Sequence, residues 1–435
     1  MIAVVTTPPA ASASAATVAA TLSTAAAADT CWDVVVIGAG PAGSAAAVRL
    51  ARRNLQVLLL DMASMPRPKV CGSCLSPAAL RELSALGLVA PGPTPADSAI
   101  VPVPLAAVTI ASRRSAATVR MPAGGVLSRE ALDAALVRRA ITAGAAWLPG
   151  ARVTAIDDVS EHGLACVEIA HRSDGPAESP RRSLVRGRMV VMAAGLDRSI
   201  RLSGESAAAR VDAVDSRVGL GGTLSTHAPG PEPGRLVMAV ARHGYCGIVR
   251  LEDGRVDLAA AVDGAAVGPA GGPAALVGMI IGDALGAEEG GRWAAALAAA
   301  TLRGTPRLTH SCPPIAGVSR RVFRLGDAAA YVEPFTGEGM GWAFETARLL
   351  DEAVEEGLGS AVGGPPDHNL VATRYDTAFH SLLTSHHTRC RWIARLVRRP
   401  LVVACAAGLA RLVPETAARI VPFVVGSRLP LESVA

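Results

Sequence analysis

Two groups of residues in this 435-residue chain have types and spacings that could do chemistry. The first is Gly38-Ala-Gly40-Pro41-Ala42-Gly43. Gly38 permits a tight turn, Gly40 lets backbone approach a pyrophosphate, and Gly43 lets a helix pack closely on a strand. A helix opening here offers free N–H groups and a positive dipole end to phosphates. Asp61 closes the next apolar run and can accept hydrogen bonds from a ribose 2′-hydroxyl. A carboxylate in that place favours an unphosphorylated ribose, as in FAD or NAD. The second group is Lys69-Val-Cys71-Gly72-Ser-Cys74, two thiols beside the only lysine of the chain. Gly72 suits a close backbone approach. Three roles stand open for the thiols: packing, a proton-donating Cys71, or a redox-active pair.

The elements that must hold these groups are legible around them. Asp33–Ile37 is a short apolar run rich in β-branched residues and reads as a buried strand. An alanine-rich helix from Ser44 to Arg53 and a second strand, Gln56–Leu60, complete one βαβ unit. Much later, Arg321–Leu325 reads as a strand leading into Gly326-Asp327, then Pro334-Phe-Thr-Gly337-Glu-Gly339-Met340, then a helix from Gly341 to about Glu356. Between them, Ser128 is an N-cap candidate for a helix carrying Arg129 and ending near Ala143. Gly144–Leu148 and Ala151–Val153 read as a strand pair. Residues 98–125 and 202–307 carry strand signals without dinucleotide motifs, including a hairpin turn at Glu252-Asp253-Gly254.

Together these residues resemble the glutathione-reductase-like flavoproteins, and more narrowly the p-hydroxybenzoate-hydroxylase-like branch. The resemblance implies FAD as cofactor. Asp327 would hold the ribityl chain, Pro334 to Met340 would lie along the isoalloxazine ring, and Arg129 would stand near the FAD phosphates. Pro68-Lys69-Val-Cys71-Gly72-Ser-Cys74-Leu75-Ser76 is similar to the Pro-x-Lys-x-Cys-Gly-x-x-Leu-Ser pattern of the geranylgeranyl reductases, and together with Pro-Phe-Thr-Gly-Glu-Gly-Met it resembles that family over roughly residues 32–360. That likeness implies hydride transfer from reduced flavin to a carbon–carbon double bond of a hydrophobic substrate. The proton would follow from Cys71, Tyr245 or water. There are departures. Ala193-Ala194-Gly195 replaces the Ala-Asp-Gly of the hydroxylases. Tyr245-Cys-Gly247-Ile-Val-Arg250 keeps the tyrosine of the reductases' aromatic segment but lacks its tryptophan and proline, which also disfavours halogenation. Gly247 leaves room in a pocket that Tyr245 and His243 are candidates to line. The alternatives are an aromatic monooxygenase acting through a flavin hydroperoxide, and a non-enzymatic flavin-binding or electron-transfer protein. No second GxGxxG is present, so electrons must come from an unidentified donor: NADPH, ferredoxin or reduced flavin.

The expected fold is α/β: a Rossmann-like FAD-binding domain built from residues 31–97, 126–201 and 308–360, with an inserted mixed β-sheet substrate domain (98–125 and 202–307). A helical region, 365–435, follows, and residues 1–30 read as a disordered extension outside the fold. Composition narrows the partners. The net charge of +5, carried almost entirely by arginine, and 3% aromatic residues offer no nucleic-acid signature. The eight cysteines are scattered and no second CxxC completes a zinc set, so no metal is expected. Residues 1–30 lack the basic start of a secretory signal, which leads to a cytoplasmic expectation. Between Thr377 and Pro414 there is no acid, while six arginines alternate with apolar residues. Such a segment either lies on the inner face of an anionic membrane or packs on the core with its arginines outward.

Overall fold

The computed structural model describes residues 17–89, 100–121, 123–158, 163–171, 181–205, 211–312, 319–333, 335, 337–359 and 366–412. Strands of three or more residues are, in order, β1 (Cys31–Ile37), β2 (Val57–Leu60), β3 (Ala107–Ser112), β4 (Ser115–Arg120) and β5 (Ala146–Leu148). Then come β6 (Ala151–Asp157), β7 (Ala165–His171), β8 (Arg181–Met192), β9 (Val218–Leu224) and β10 (Arg235–Ala241). The last are β11 (Gly244–Arg250), β12 (Val256–Val262), β13 (Arg303–Arg307) and β14 (Val322–Arg324). The helices are α1 (Thr24–Asp29), α2 (Pro41–Arg52), α3 (Pro77–Ala85), α4 (Arg129–Thr142) and α5 (Pro273–Leu285). They continue with α6 (Ala287–Ala298), α7 (Gly339–Leu358), α8 (His368–Val397) and α9 (Pro400–Leu412).

Two sheets carry the architecture. In the first, β1 lies between β2 and the long β8, all parallel, and β14 joins the last three residues of β8 in parallel. Both faces of β1 are buried, which its continuous apolar run requires. Helices α2, α4 and α7 cover one face around Trp147, Phe344 and Leu50, all at most 1% exposed. The other face packs on β6 and β7. The expected pairing of residues 144–148 with 151–153 does not form: β5 adds to β2, while β6 turns away to pair with β7. Gly150 at φ +72° marks the turn that separates them.

The N-terminal expectation is corrected as well. Residues 17–30 belong to the fold. Val18 and Ala27 are buried, the Trp147 indole donates to the Val18 carbonyl at 3.3 Å, and Thr21 accepts from the Trp147 amide at 2.7 Å. Low sequence complexity concealed Ala27, which packs with Val35 and Val190 of the first sheet.

The second sheet runs β13-β9-β12-β11-β10-β3-β4, antiparallel except where β10 meets β3. The alternation of the strands decides its two faces. Leu220, Cys246, Ile248, Leu258 and Ala260 face α5 and α6 and bury with Leu276, Ile280 and Trp293. Opposite them, Gly219, Gly221, Thr223, Tyr245, Gly247, Asp257, Ala259 and Ala261 share the face turned toward the first sheet. The α/β fold expectation therefore holds, with a Rossmann-like unit, a mixed-sheet roof and C-terminal helices. Among the described residues no helix is long and apolar enough to cross a membrane.

Candidate functional site

The glycine loop is built as its spacing requires. Gly38 has φ +99°, and a Cβ there would meet the Ala193 carbonyl oxygen at 2.4 Å. A Cβ on Gly43 would stand 1.9 Å from the Gly38 carbonyl oxygen. Gly40 caps α2, and Pro41 opens the helix, where its missing N–H costs nothing. Beside Gly40 there is open room, bounded by the Arg129 guanidinium at 3.8 Å from a notional Cβ. These are the features of a loop that receives a diphosphate over a helix N-terminus.

Asp61 ends β2 and is 6% exposed. Its carboxylate accepts from the amides of Ala39 and Ala63 at 2.8 and 2.9 Å and pairs with Arg67 at 3.3 Å. It therefore braces the glycine loop directly. Arg67 also faces Asp133 at 3.8 Å, and Asp133, fully buried, holds Arg129 at 2.8 Å. Ser128 caps α4 as expected, accepting from the Ala131 amide, and so fixes the start of the helix that presents Arg129. Lys69 completes the cationic group. Its side chain is accessible, with Nζ 3.7 Å from where a Cβ on Gly195 would be. Burial lowers its pKa, and the nearby Arg67 and Arg129 lower it further. Three cations converging on one glycine loop suit a bound polyanion. Arg67 and Asp133 were missed by the sequence reading, because neither belongs to a motif.

The second motif meets the first. Gly326 (φ +57°) opens a short turn carrying Asp327, and Asp327 acts electrostatically on Lys69. The Gly326 amide donates to Thr346 Oγ1 of α7 at 2.9 Å, which ties this turn to the helix that follows the motif. A Cβ built on Gly337 would stand 3.7 Å from the Cys74 Cβ, and Gly339 and Met340 open α7. Pro334 lies outside the described residues.

The loop Lys69–Cys74 passes between the two sheets. Val70 fills the space left by Gly221, and Gly72 lies 4.0 Å from Ala259 of the roof, measured from a notional Cβ. The Ser73 hydroxyl donates to Asp257 at 2.6 Å. Cys71 and Cys74 are both free thiols. Burial raises the pKa of each, and the Cys71 thiol additionally contacts Arg129 and the Ser73 backbone. Tyr245 is 3% exposed, meets Phe335 edge-on at 5.0 Å and lies under Arg217 at 5.7 Å. Burial pushes its hydroxyl well above the usual phenol range, and among the described residues that hydroxyl has no hydrogen-bond partner. His243 stands apart in the β10–β11 turn, half-exposed beside Asp263 at 3.7 Å.

A further cluster had no signal in the sequence. Glu338, between the two glycines of the ring motif, pairs with Arg389 and with His386 at 3.3 Å, both from α8. Cys390 completes a group whose ligand atoms lie within 4.8 Å of one another. Burial opposes ionisation of Glu338, but His386 and Arg389 outweigh it and lower its pKa. With an arginine already on the carboxylate, the arrangement is an ion-pair latch between α8 and the ring motif.

The glycine cradle over a helix N-terminus and the cationic side chains beside it fit the diphosphate of a dinucleotide cofactor such as FAD. Comparisons with known proteins agree. Residues 36–78 match the NAD(P)-binding Rossmann-like domain family. A menaquinone reductase of Mycobacterium tuberculosis is 28% identical over 340 residues, covering 75% of this chain and 77% of that protein. The chain is an FAD-dependent oxidoreductase. The fold of this flavoprotein is shared with a flavin-dependent brominase (TM-score 0.68, 16% identity, 93% of this chain and 96% of that one). It is shared too with the myxobacterial chondrochloren halogenase (TM-score 0.66, 19% identity, 93% and 92%). A geranylgeranyl bacteriochlorophyll reductase-like protein of Thermoplasma acidophilum aligns with TM-score 0.59 and 18% identity, over 93% and 94% of the two chains.

Proposed function

We propose that this flavoprotein reduces a carbon–carbon double bond in a lipophilic, quinone-like or isoprenoid substrate. The observation that carries the reading is the roof face opposite the Lys69–Cys74 loop. Gly219, Gly221, Gly247, Ala259 and Ala261 recur along it, so apart from Tyr245, Thr223 and Asp257 the face itself carries small side chains, which suits a flat or chain-like apolar molecule. The name of the mycobacterial relative, menaquinone reductase, supports a substrate of that class.

When bound, FAD supplies the hydride. The rest falls to the protein. Gly38–Gly43, Arg67, Lys69 and Arg129 hold the diphosphate, Asp61 braces their loop, and Asp327 and Gly337–Met340 orient the ring end. The N-terminus of α7 directs its dipole toward that end and favours negative charge there. Val70, Gly72 and the roof exclude water, so donor and acceptor carbon meet without a competing solvent shell. Cys71 is held between Arg129 and the Ser73 backbone and shapes this loop, while Tyr245 and Phe335 wall the ring end.

The lipophilic substrate agrees with the C-terminal helices. Trp392, Leu396, Leu401, Leu409 and Leu412 are each at least 50% exposed, and Arg391, Arg395 and Arg399 are exposed beside them. We read this face as the contact with an anionic bilayer from which substrate is taken.

The test is anaerobic. The protein is reduced, then mixed with menaquinone or polyprenyl alkenes in detergent, and the flavin spectrum and product mass are followed. Reoxidation with a product heavier by two hydrogens supports the reading. Reoxidation only by oxygen, with an aromatic ligand hydroxylated, moves the assignment to a monooxygenase. Cys71→Ser is expected to keep its flavin and to turn over within about fivefold of wild type.

A further inference from the structure

We propose that Asp257 is the acid that protonates the substrate, delivering its proton to the carbon that does not receive hydride. This rests on the double-bond reductase reading. In the step, the Asp257 O–H bond breaks, the π pair of the alkene forms the new C–H bond, and the hydride comes from reduced flavin. The carboxylate is then reprotonated from water.

The placement carries the argument. Asp257 is the only acid in strands β9 to β12, and it stands on the face turned toward the Lys69–Cys74 loop. It is 6% exposed and borders a cavity of about 470 Å³, shared with Lys69, Val70, Gly221 and Thr223. Ser73 donates to one carboxyl oxygen at 2.6 Å and Thr223 to the other at 3.3 Å, which fixes its orientation. Ser73 holds a left-handed φ of +53°, a conformation non-glycine residues adopt rarely, and this turns its hydroxyl into the roof.

Its rivals are poorly suited. The Cys71 thiol is engaged by Arg129 and the Ser73 backbone, and burial pushes the Tyr245 hydroxyl well above the usual phenol range. Burial instead brings Asp257 to about 7, opposed by Ser73 and Thr223. A carboxyl there is protonated often enough to donate and acidic enough to release. Every charged or titratable neighbour enters this balance. Glu130 of α4 raises its pKa and Arg255 lowers it. Lys69 and Arg303 border the cavity, and Cys71, Cys74 and Cys246 lie within its field.

The test compares wild type, Asp257→Asn and Ser73→Ala, each with FAD. In infrared difference spectra, wild type is expected to show a protonated-carboxyl band that titrates near neutral pH and is missing from Asp257→Asn. In anaerobic single turnover, Asp257→Asn is expected to keep its flavin absorbance but to slow substrate-dependent reoxidation about 100-fold, within the range typical of a lost general acid. The wild-type rate is expected to fall above about pH 7. Ser73→Ala removes a donor that stabilises the ionised carboxylate, so that limb moves to higher pH. A merely structural Asp257 would not move the limb. Absence of the band, or an Asp257→Asn rate and pH limb equal to wild type, overturns the proposal. If wild type itself is not reoxidised by any alkene or quinone, the reductase reading fails, and the infrared band alone decides whether Asp257 holds the proton.

Discussion

A Cβ built on Gly326 would stand 3.1 Å from the Cβ of Ala42. The two residues come from the two glycine motifs, some 280 residues apart in the chain. Their contact brings the N-termini of α2 and α7 together around one cofactor site. Neither glycine motif has room to grow: Gly43 is blocked by the backbone of Gly38, and Gly326 combines that close contact with a φ of +57°. Gly43→Val and Gly326→Val are therefore expected to lose bound FAD, with melting temperatures lowered by overpacking that typically costs about 1–3 kcal/mol. Stoichiometric flavin absorbance in both purified variants would show that the motifs do not meet at the cofactor.

Asp61→Ala removes the acceptor of the Ala39 and Ala63 amides and the partner of Arg67. A loop amide left unpaired costs about 1–3 kcal/mol. FAD affinity, read by flavin fluorescence on titration, is expected to fall at least tenfold, with Asp61→Asn intermediate. Unchanged affinity in Asp61→Ala would place the cofactor elsewhere.

The latch between α7 and α8 predicts a loss of stability in acid. Burial, with help from His386, Arg391 and His310, lowers the pKa of His387 to about 3. For a histidine depressed in the fold, the stabilisation is complete above its unfolded value near 6.5 and is lost as pH falls below that. The Glu338 carboxylate, also depressed, adds its loss below about pH 4.5. Thermal melts are expected to show a midpoint falling from pH 7 to pH 4, with the slope above pH 5 reduced in His387→Phe. A midpoint independent of pH in that range would mean that α8 does not hold its histidine neutral.

The arginine and apolar face of α8 and α9 predicts sedimentation with anionic vesicles. Trp392, 61% exposed, is the reporter. Its fluorescence is expected to shift to the blue with phosphatidylglycerol vesicles and not with phosphatidylcholine. Replacing Arg391, Arg395 and Arg399 by glutamine is expected to weaken binding by about 1 kcal/mol per residue, as each basic side chain near an anionic surface contributes. Equal binding to both vesicles would make the contact non-electrostatic. A dimer in solution without vesicle binding would instead assign the face to a second copy of the chain.

The sequence by itself determined the parts whose chemistry is local. Gly38, Gly40 and Gly43 announce a phosphate loop because each glycine answers a nearby steric demand. Ser128 announces the start of α4, and the strand after Glu252-Asp253-Gly254 announces a hairpin. The joining of that loop to Gly326-Asp327 was legible only because both motifs are specific. What the tertiary structure decided is everything that depends on which faces meet. Arg67 and Asp133 become part of the site through α4 and the loop after β2 folding onto each other. Glu338 finds its partners on a helix some fifty residues later, where His386 and Cys390 stand one turn apart. Residues 17–30 join the fold through contacts with Trp147 that no local pattern encodes. Asp257 reads as an ordinary polar position in an alternating strand. Only strand register turns it toward Ser73 and a cavity bounded by the second sheet and by Lys69 and Val70, because a side chain's surroundings are set by its neighbours in space and not in sequence.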